Sequence, residues 1–395
     1  MPRRRNRTTA GKRPRGPGEG SIYQRKDGLW AAQVYDGERY HYRYRSTYED
    51  ALRALRDLQT DIARGRLEIG DKTTVNDLLH LWLEQSIRPV RRPRTVADYE
   101  QYSELYVSPG VGRYQVAKLR PEHVQQWIND LRKRGLSPLT IRHARGVLRQ
   151  ALNLAVRWRY IDQNPAELVD LPKIEKRRET IWTQEQVAAF LAHVHGHPLG
   201  LMFALAVQTG MRPGEYLGLT WAAMDLDAGT VDVYQQLQII HGERRFEPIK
   251  TGSKGRRTIP LPAQLVDELR QHRREQNLMK LRTPGFNPHG LVFCTKNGTP
   301  YMERNVERAF KQQIAGYNEG RPASDQLPII RLYDLRHTCA SLLLASGVDV
   351  ATVSKLLGHA TVYVTASTYL HALPGLNRQT ADVMDRLLSR RAGTI

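Results

Sequence analysis

Four polar residues of the 395-residue chain belong to types that are used in phosphate chemistry, and each lies in a short distinctive segment. Two arginines stand at turns into predicted helices, a histidine follows Leu-Gly, and a tyrosine lies ten residues further on: Arg212, Arg336, His359 and Tyr369. An arginine fork donates two hydrogen bonds to phosphate oxygens and stays charged at neutral pH. A tyrosine hydroxyl can act as an oxygen nucleophile. Together, the four residues are therefore candidates for chemistry on a phosphate group.

Several common catalytic motifs are absent from the chain. It contains no phosphate-binding G-x-x-x-x-G-K-[ST] loop, no H-E-x-x-H and no G-x-G-x-x-G after a predicted strand. No cluster of acidic residues suggests a magnesium-dependent nuclease. We therefore expect any DNA cleavage to proceed without ATP, without a metal and without another cofactor.

The composition favours a nucleic-acid partner. Lys and Arg total 60 against 40 Asp and Glu, which gives a formal net charge of +20. A chain this basic either repels itself or meets a polyanion, most often nucleic acid. Two distant cysteines, Cys294 and Cys339, argue against a disulfide scaffold and a four-ligand zinc site. Because no apolar run is long enough to span a membrane, we expect a cytoplasmic, nucleoid-associated protein with no membrane partner.

The first 68 residues are predicted to hold a basic arm and a small sheet domain. Residues 1–18 carry seven cations and no acidic residue, which predicts a disordered arm that either anchors on phosphates or acts as a solubilising tail. Residues 19–68 are predicted to form three short strands joined at Asp27-Gly28 and Asp36-Gly37, followed by a helix over 48–63.

Two details of this small domain lead to further predictions. Ser46 and Glu49 fit a capping box at the start of the helix. In the third strand, three tyrosines alternate with His41, Arg43 and Arg45, so the two sets should lie on opposite faces. The cationic face could enter a DNA major groove, and Arg43 and Arg45 are predicted to bind DNA. An ordinary half-exposed sheet is the alternative.

Residues 74–170 are predicted to be a four-helix domain. Helix starts are indicated at Thr74, Thr95, Pro121 and Ser137-Pro138, and the fourth helix runs to about Trp158. That helix has an apolar face, and its cations lie elsewhere on its surface. We predict that two of them, Arg142 and Arg145, bind DNA, although a solvated charged face is the commoner meaning of such a pattern.

A linker over 171–180 leads to the largest predicted domain, residues 181–395. There, Thr183 and Gln186 fit a capping box, and a buried helix over 201–207 should end near Gly210. Mostly helices are expected beyond the strands. The predicted strands are Val231–Ile240, Phe246–Lys250 and Arg257–Leu261. The predicted fold class is thus α+β multidomain: a three-stranded sheet with a helix, a four-helix domain, and a mainly α domain with a small antiparallel sheet.

In order along the chain, four segments resemble the boxes of the tyrosine recombinase (phage integrase) family. The family pattern is an arginine followed three residues later by glutamate, then H-x-x-R-H, then L-G-H, then a tyrosine about ten residues beyond. The corresponding segments are Thr209 to Glu215, Tyr333 to Thr338, Leu357 to His359, and Tyr369. The resemblance covers the whole of residues 181–395. The helical domain resembles the family's core-binding domain, and the N-terminal sheet resembles the arm-binding domain of phage and conjugative-element integrases.

The resemblance implies a role for each of these residues. Arg212 and Arg336 would hold the scissile phosphate, while His359 would donate a hydrogen bond to its non-bridging oxygens. Glu215 would support Arg212, and Tyr369 would be the nucleophile. The family's general acid is a lysine in a β-hairpin turn before a basic strand that ends in Ile-Pro-Leu. Lys250 matches it best, with Lys254 as the second choice.

The chain departs from the family at one position, where Tyr333 replaces the first histidine of H-x-x-R-H. A phenol can donate a hydrogen bond to phosphate, but its pKa near 10 makes it a poor proton shuttle at neutral pH. Acid–base assistance from Tyr333 is therefore in question. His337 is interpreted as structural, and Tyr363 and Tyr369 could each be aromatic packing if considered singly.

The resemblance implies an integrase-type recombinase of a mobile element. It would clamp double-stranded core sites, bind separate arm sites and exchange strands as a homotetramer through 3′-phosphotyrosine links and a Holliday junction. A directionality factor and a DNA-bending protein are the further implied partners. A helix over Leu376–Leu388 would dock on a neighbouring protomer or pack on its own domain. Two alternatives remain: a chromosome-dimer resolvase, which usually lacks an arm domain, and a DNA-binding regulator with a decayed catalytic site.

Overall fold

The computed structural model of the chain describes residues 19–37, 40–63, 72–174, 180–249, 252–369 and 384–385. The predicted basic arm, Lys250 and all but two residues of the predicted helix over 376–388 lie outside this part of the chain. Two compact units are present, with their boundary between residues 175 and 176. The fold is mixed α+β, as predicted. Every helix in the described ranges falls short of the length and apolar character that a bilayer-spanning segment requires.

A three-stranded antiparallel sheet and one helix form the N-terminal part of the first unit, where the sequence predicts them. The sheet order is β1 (Gly20–Gln24), β2 (Trp30–Tyr35) and β3 (Tyr40–Arg45), and α1 spans Tyr48–Ala63. The predicted capping box is wrong by one residue. Because the helix begins at Tyr48, the hydroxyl of Thr47 caps it and accepts a hydrogen bond from the backbone N–H of Asp50 at 3.2 Å.

The helix α1 covers the face of this sheet that was expected to meet DNA. Directly opposite residues share a face, and Val34 lies opposite both Gly20 and His41. At Gly20, a Cβ atom would approach Leu55 of α1 to 2.3 Å, so this is the face that α1 covers. Arg43 and Arg45 lie on the same face as His41, so the cationic face is the one towards α1, and their binding to DNA stays a prediction.

The open face instead carries the tyrosines. Tyr40, Tyr42 and Tyr44 of β3 are exposed, as is Tyr23 of β1. Their rings follow one another at centroid distances of 6.3–6.4 Å along β3, and the guanidinium of Arg25 lies 4.7 Å from the centroid of Tyr44. Alternation predicts which residues share a face, but the packing of α1 decides which of the two faces stays open.

The rest of the first unit is helical and packs around one apolar core. Thr74 and Ser137 cap helices as predicted, whereas the helix expected at Thr95 begins two residues earlier because Pro93 occupies its first position. Two π-helical segments, Leu83–Ile87 and Ser103–Val107, were not predicted. The helices are α2 (Val75–Trp82), α3 (Pro93–Tyr102), α4 (Ser108–Val111), α5 (Pro121–Lys133) and α6 (Pro138–Arg157).

Helices also dominate the second unit. Thr183 and Gln186 form the predicted capping box, and Gly210 ends the buried helix α8. In the first half, the elements are α7 (Gln184–His193), α8 (Gly200–Thr209), α9 (Pro213–Leu217), β4 (Met224–Asp225), β5 (Thr230–Val233), β6 (Gln235–Ile240) and β7 (Glu243–Pro248). In the second half, they are β8 (Arg257–Pro260), α10 (Ala263–Arg282), α11 (Glu303–Asn318), α12 (Asp334–Ala345), α13 (Val350–Leu357) and α14 (Val362–Tyr369).

The strands of this unit form two small sheets rather than one continuous hairpin. The single strand predicted over 231–240 is wrong, because the chain breaks at Tyr234 into β5 and β6. β5 pairs with β4 and β8, while β6 forms an antiparallel hairpin with β7. The break lets Val231 and Val233 enter the core beside β8 while β6 continues to pair with β7.

Candidate active site

Arg212 lies at the N-terminus of α9 and is held by the carboxylate one turn later. Its backbone N–H and its Nη1 each donate to Glu215, both at 2.9 Å. Pro213 occupies the first helical position, where its missing N–H costs no hydrogen bond. The side chain of Arg212 is 25% exposed, whereas that of Glu215 is buried. One edge of the guanidinium is thus fixed by protein while part of the group can meet a ligand.

A second arginine shares the same carboxylate. Arg257 of β8 donates from Nη2 to Glu215 at 2.7 Å, and both side chains are buried. Burial raises the pKa of Glu215, but the hydrogen bonds and positive charges of Arg257 and Arg212 outweigh it and hold that pKa below its ordinary value. Arg257 also donates to the carbonyl of Leu356, just before the histidine segment. Sequence reasoning missed this link, because a basic strand gives no signal of which cation is buried.

Arg336 is held by two backbone carbonyls. Its Nη1 donates to Gly210 and its Nη2 donates to Leu357, both at 2.7 Å, and only 1% of the residue is exposed. Gly210 has a φ of 62°, and a Cβ atom there would lie 2.7 Å from Leu357, so this carbonyl position requires glycine. Burial, with the charge of Arg212, lowers the pKa of Arg336 to about 10, which leaves it protonated at neutral pH.

The Nε–H donor of Arg336 is available to a ligand. Within the ranges that the structure describes, no acceptor lies within hydrogen-bonding distance of its buried Nε. A buried donor without an acceptor is costly, by roughly 1–3 kcal/mol. A phosphate oxygen would satisfy it.

His359 follows the C-terminus of α13 and contacts α14. Its Nδ1 lies 2.7 Å from the hydroxyl of Thr365. Burial lowers the pKa of His359 to about 4, and the charges of Arg336, Arg212 and Arg257 act in the same direction. The imidazole is therefore neutral at pH 7. If the Thr365 hydroxyl donates to Nδ1, the ring proton sits on Nε2, which can then donate to an oxyanion.

Tyr369 and Tyr363, both on α14, have opposite environments. Tyr363 is 77% exposed, whereas Tyr369 is 3% exposed and packs among apolar residues of α12 and α13. The hydroxyl of Tyr369 lies 2.8 Å from Nδ1 of His337. No spacing in the sequence indicated this contact, and the interpretation of His337 as a structural residue stays a prediction.

The ring of Tyr333 also packs near His337. It is 39% exposed at the start of α12, and its ring centroid lies 5.3 Å from that of His337. The structure therefore brings together Arg212, Glu215, Arg336 and His359, with Tyr333 and Tyr369 on either side of His337. Lys250 lies outside the described residues, and the side chain of Lys254 is likewise not described.

In the first unit, three arginines share one edge of α6. Arg142, Arg145 and Arg149 recur at intervals of three and four residues, so their side chains are neighbours. Burial lowers the pKa of Arg145, and the charges of Arg149 and Arg142 lower it further, against the opposing effect of Glu167. Arg142 and Arg145 were the two predicted DNA-binding residues of this helix. A row of like charges is what a polyanion would stabilise.

Comparisons with known proteins cover most of the chain. Residues 181–375 match the phage integrase family, and residues 74–132 match the phage integrase N-terminal SAM-like domain. An integrase of Streptomyces ambofaciens is 30% identical over 350 residues, which is 87% of this chain and 88% of the relative. A tyrosine recombinase XerC-like protein of Caldanaerobacter subterraneus is 29% identical over 336 residues, covering 80% of this chain and 83% of the relative.

Solved structures show the same fold. The Tn1549 transposon integrase in complex with a circular intermediate DNA superposes with a TM-score of 0.67 at 20% identity, over 79% of this chain and 99% of that one. A lambda integrase tetramer bound to a Holliday junction gives a TM-score of 0.56 at 15% identity, over 88% and 94% of the two chains. From the extent of the sequence matches, the chain belongs to the phage integrase family of tyrosine recombinases, which cleave DNA and transfer its strands.

Proposed function

We propose that the chain is the site-specific recombinase of a mobile element, and that the site built around Arg212, Arg336, His359 and Tyr369 cuts and rejoins double-stranded DNA. The observation that carries this proposal is the buried arginine cluster. Arg212 and Arg336 are held by protein groups, yet Arg212 is partly exposed and Arg336 keeps a donor available. Fixed cations of this kind stabilise the charge that develops on a phosphate during attack.

The proposed reaction is an in-line displacement at phosphorus. The hydroxyl oxygen of Tyr369 attacks, a 3′-phosphotyrosine bond forms and the bond to the 5′ oxygen breaks. Arg212 and Arg336 donate to the non-bridging oxygens, and His359 donates from Nε2. By resemblance, Lys250 protonates the leaving 5′ oxygen. The phosphotyrosine link conserves the bond energy, so rejoining needs no ATP.

Tyr333 is proposed as an additional donor at the edge of the site. It is the most exposed of the five proposed catalytic residues that the structure describes, and its charge interaction with Arg336 indicates that the two groups are close. Its phenol would donate to a non-bridging oxygen without shuttling a proton. This suits a position where the family usually has histidine.

The first unit is proposed to bind DNA in two places. The arginine row on α6 would contact phosphates of the core site. The open tyrosine face of the N-terminal sheet, with Arg25 beside Tyr44, would face the arm site. Arg43 and Arg45 point to the opposite face, so they would contact DNA only by extending around the edge of the sheet. Residues 74–170 would thus form the core-binding domain and residues 19–68 the arm-binding domain.

The assembly is proposed to be a homotetramer that works on a Holliday junction. The lambda integrase tetramer bound to such a junction shares this fold and supports the proposal. A directionality factor and a DNA-bending protein would be further partners, and the protein would act at the nucleoid. A chromosome-dimer resolvase is less well supported, because this chain has an additional sheet and helix over 19–63.

Replacing the nucleophile tests the proposed function. Tyr369→Phe removes one hydroxyl and should abolish the covalent protein–DNA complex while DNA binding stays close to that of the wild type. Tyr363→Phe is the matched control on the same helix and should still cleave. The assay traps the covalent complex on a nicked duplex taken from the DNA beside the gene, with EDTA present. A Tyr363→Phe enzyme that fails while Tyr369→Phe cleaves, or cleavage that requires magnesium, would contradict the assignment.

A further inference from the structure

We propose that His337 accepts the proton of Tyr369 as the phenol attacks DNA, and returns it when the strand is rejoined. The inference rests on the proposed function and adds a catalytic residue to it. A general base must lie within hydrogen-bonding distance of the proton it removes. Nδ1 of His337 meets this condition, at 2.8 Å from the hydroxyl oxygen of Tyr369.

The reaction needs such a base. A phenol with an ordinary pKa near 10 is almost fully protonated at neutral pH, and the phenolate is the stronger nucleophile. Tyr333, at the position where the family usually has histidine, is itself a phenol and cannot fill this role. His359 is also poorly suited, because burial lowers its pKa to about 4 and Nδ1 is already engaged by Thr365.

The fold fixes His337 with respect to the phosphate site. It directly follows Arg336 on α12, so the base and the phosphate-binding arginine share one rigid helix. His337 is itself buried, and Tyr369 packs among Ala340, Leu344 and Val353. In such surroundings, water competes poorly with the hydrogen bond between the two side chains.

The proton balance of the step is complete. A neutral His337 with its proton on Nε2 receives the phenol proton at Nδ1 while the phosphorus–Oη bond forms and the bond to the 5′ oxygen breaks. The leaving 5′ oxygen takes its proton from the general acid, which is Lys250 by resemblance. In the rejoining step, the incoming 5′ hydroxyl attacks phosphorus, and the imidazolium returns its proton to Tyr369.

Several charged or titratable groups surround His337 and would shape its pH response. Tyr333, Asp334 and Arg336 lie on its own helix, and its charge acts on Asp334. Tyr369 approaches from α14. His359, after α13, also feels the charge of His337.

His337→Asn is the most direct test. An asparagine oxygen near the position of Nδ1 can still accept a hydrogen bond from Tyr369, but it cannot take the proton. Single-turnover cleavage of the nicked duplex should fall by about 100-fold or more. The wild-type rate should rise with pH through the imidazole range, and this rise should disappear in His337→Asn. DNA binding and the midpoint of thermal unfolding should stay near those of the wild type.

A substrate with sulfur in place of the bridging 5′ oxygen separates the base from the acid. Its thiolate leaves without protonation, so it should restore cleavage to Lys250→Ala. It should not restore cleavage to His337→Asn, because that variant lacks help for the nucleophile and not for the leaving group. Rescue of His337→Asn by this substrate would overturn the assignment.

Other outcomes are equally decisive. Cleavage by His337→Asn at the wild-type rate would show that the contact only positions the phenol. Faster cleavage would show that His337 holds the nucleophile back. If the variant fails to fold, the wild-type pH profile still decides, since a flat rate between about pH 5.5 and 8 would exclude an imidazole base. A wild-type enzyme that forms no covalent complex would instead contradict the proposed function.

Discussion

Two groups of arginines in the molecule are held in different ways. In the second unit, Arg212 and Arg257 both donate to the carboxylate of Glu215. Arg336 donates to two backbone carbonyls. On α6 of the first unit, Arg142 is exposed and Arg149 is half-buried, and Arg149 has an ion pair with Glu167 at a longer distance of 3.5 Å. The first set is fixed before any DNA arrives, whereas the second set can still adjust to DNA.

The difference matches two different tasks. Stabilising a developing charge requires donors whose position costs no reorganisation during the reaction. Holding a DNA backbone requires only positive charge near phosphates, and much of its free energy comes from release of counterions. We therefore expect geometry to matter in the second unit and charge alone to matter on α6.

The largest effect should follow from changing geometry while keeping charge. Arg336→Lys retains a cation, but its donors sit on one nitrogen, which cannot occupy the positions of the separate nitrogens that face Gly210, Leu357 and a phosphate oxygen. Single-turnover cleavage should fall by about 10³-fold, as when a fixed donor to an oxyanion is lost, while DNA binding changes little. Arg142→Lys is the matched control on α6 and should cleave at the wild-type rate. Equal losses in the two variants would remove the distinction between the regions.

A smaller effect should come from the shared carboxylate. Glu215→Gln keeps the shape of the side chain but leaves Arg212 and Arg257 without their common counter-charge, so both guanidinium groups lose their fixed position. Cleavage should fall by roughly 10–100-fold, less than when a direct phosphate donor is removed. The thermal unfolding midpoint should also fall, because the carboxylate is buried between two cations.

Glu167→Gln provides the comparison for this carboxylate. It removes the partner of Arg149 on the solvent-accessible edge of α6, where an exposed ion pair contributes about 0–1 kcal/mol. Cleavage and stability should then remain near wild type. If Glu215→Gln behaved in the same way, the buried network would be dispensable for chemistry.

The sequence predicted the two regions unequally well. Helix starts such as Thr74 and Ser137 follow local capping rules, and both are confirmed. The grouping of Arg212, Arg336 and His359 was predicted only through the resemblance, because no local rule relates Arg212 to segments more than 100 residues further along the chain. Contacts that depend on packing could not be predicted. Arg257 on Glu215 and His337 on Tyr369 each require knowing which side chain the core encloses.

In the N-terminal sheet, too, the features that depend on packing could not be predicted from the sequence. Period-two alternation correctly separated the tyrosines from Arg43 and Arg45, because that pattern is a property of the strand itself. Which face stays open depends on where α1 packs, and the strand carries no such information. The same is true of the break at Tyr234, which reflects the partners of β5 and β6 rather than their own residues.

The smallest effect on cleavage, and the clearest contrast with Arg336, is expected from substitutions in the row of arginines on α6. The double variant Arg142→Gln, Arg145→Gln removes two charges without altering the second unit. The slope of log affinity against log salt should become shallower by about 0.9 for each lost phosphate contact, or roughly 1.8 in total. Cleavage at saturating DNA should be unchanged, because the substituted groups touch no reacting atom. Fluorescence anisotropy across a salt series gives the slope, and single-turnover cleavage on the same duplex gives the rate. A slope equal to that of the wild type would place this edge of α6 away from DNA, and a slower rate at saturation would mean that loosely held arginines also contribute to the chemical step.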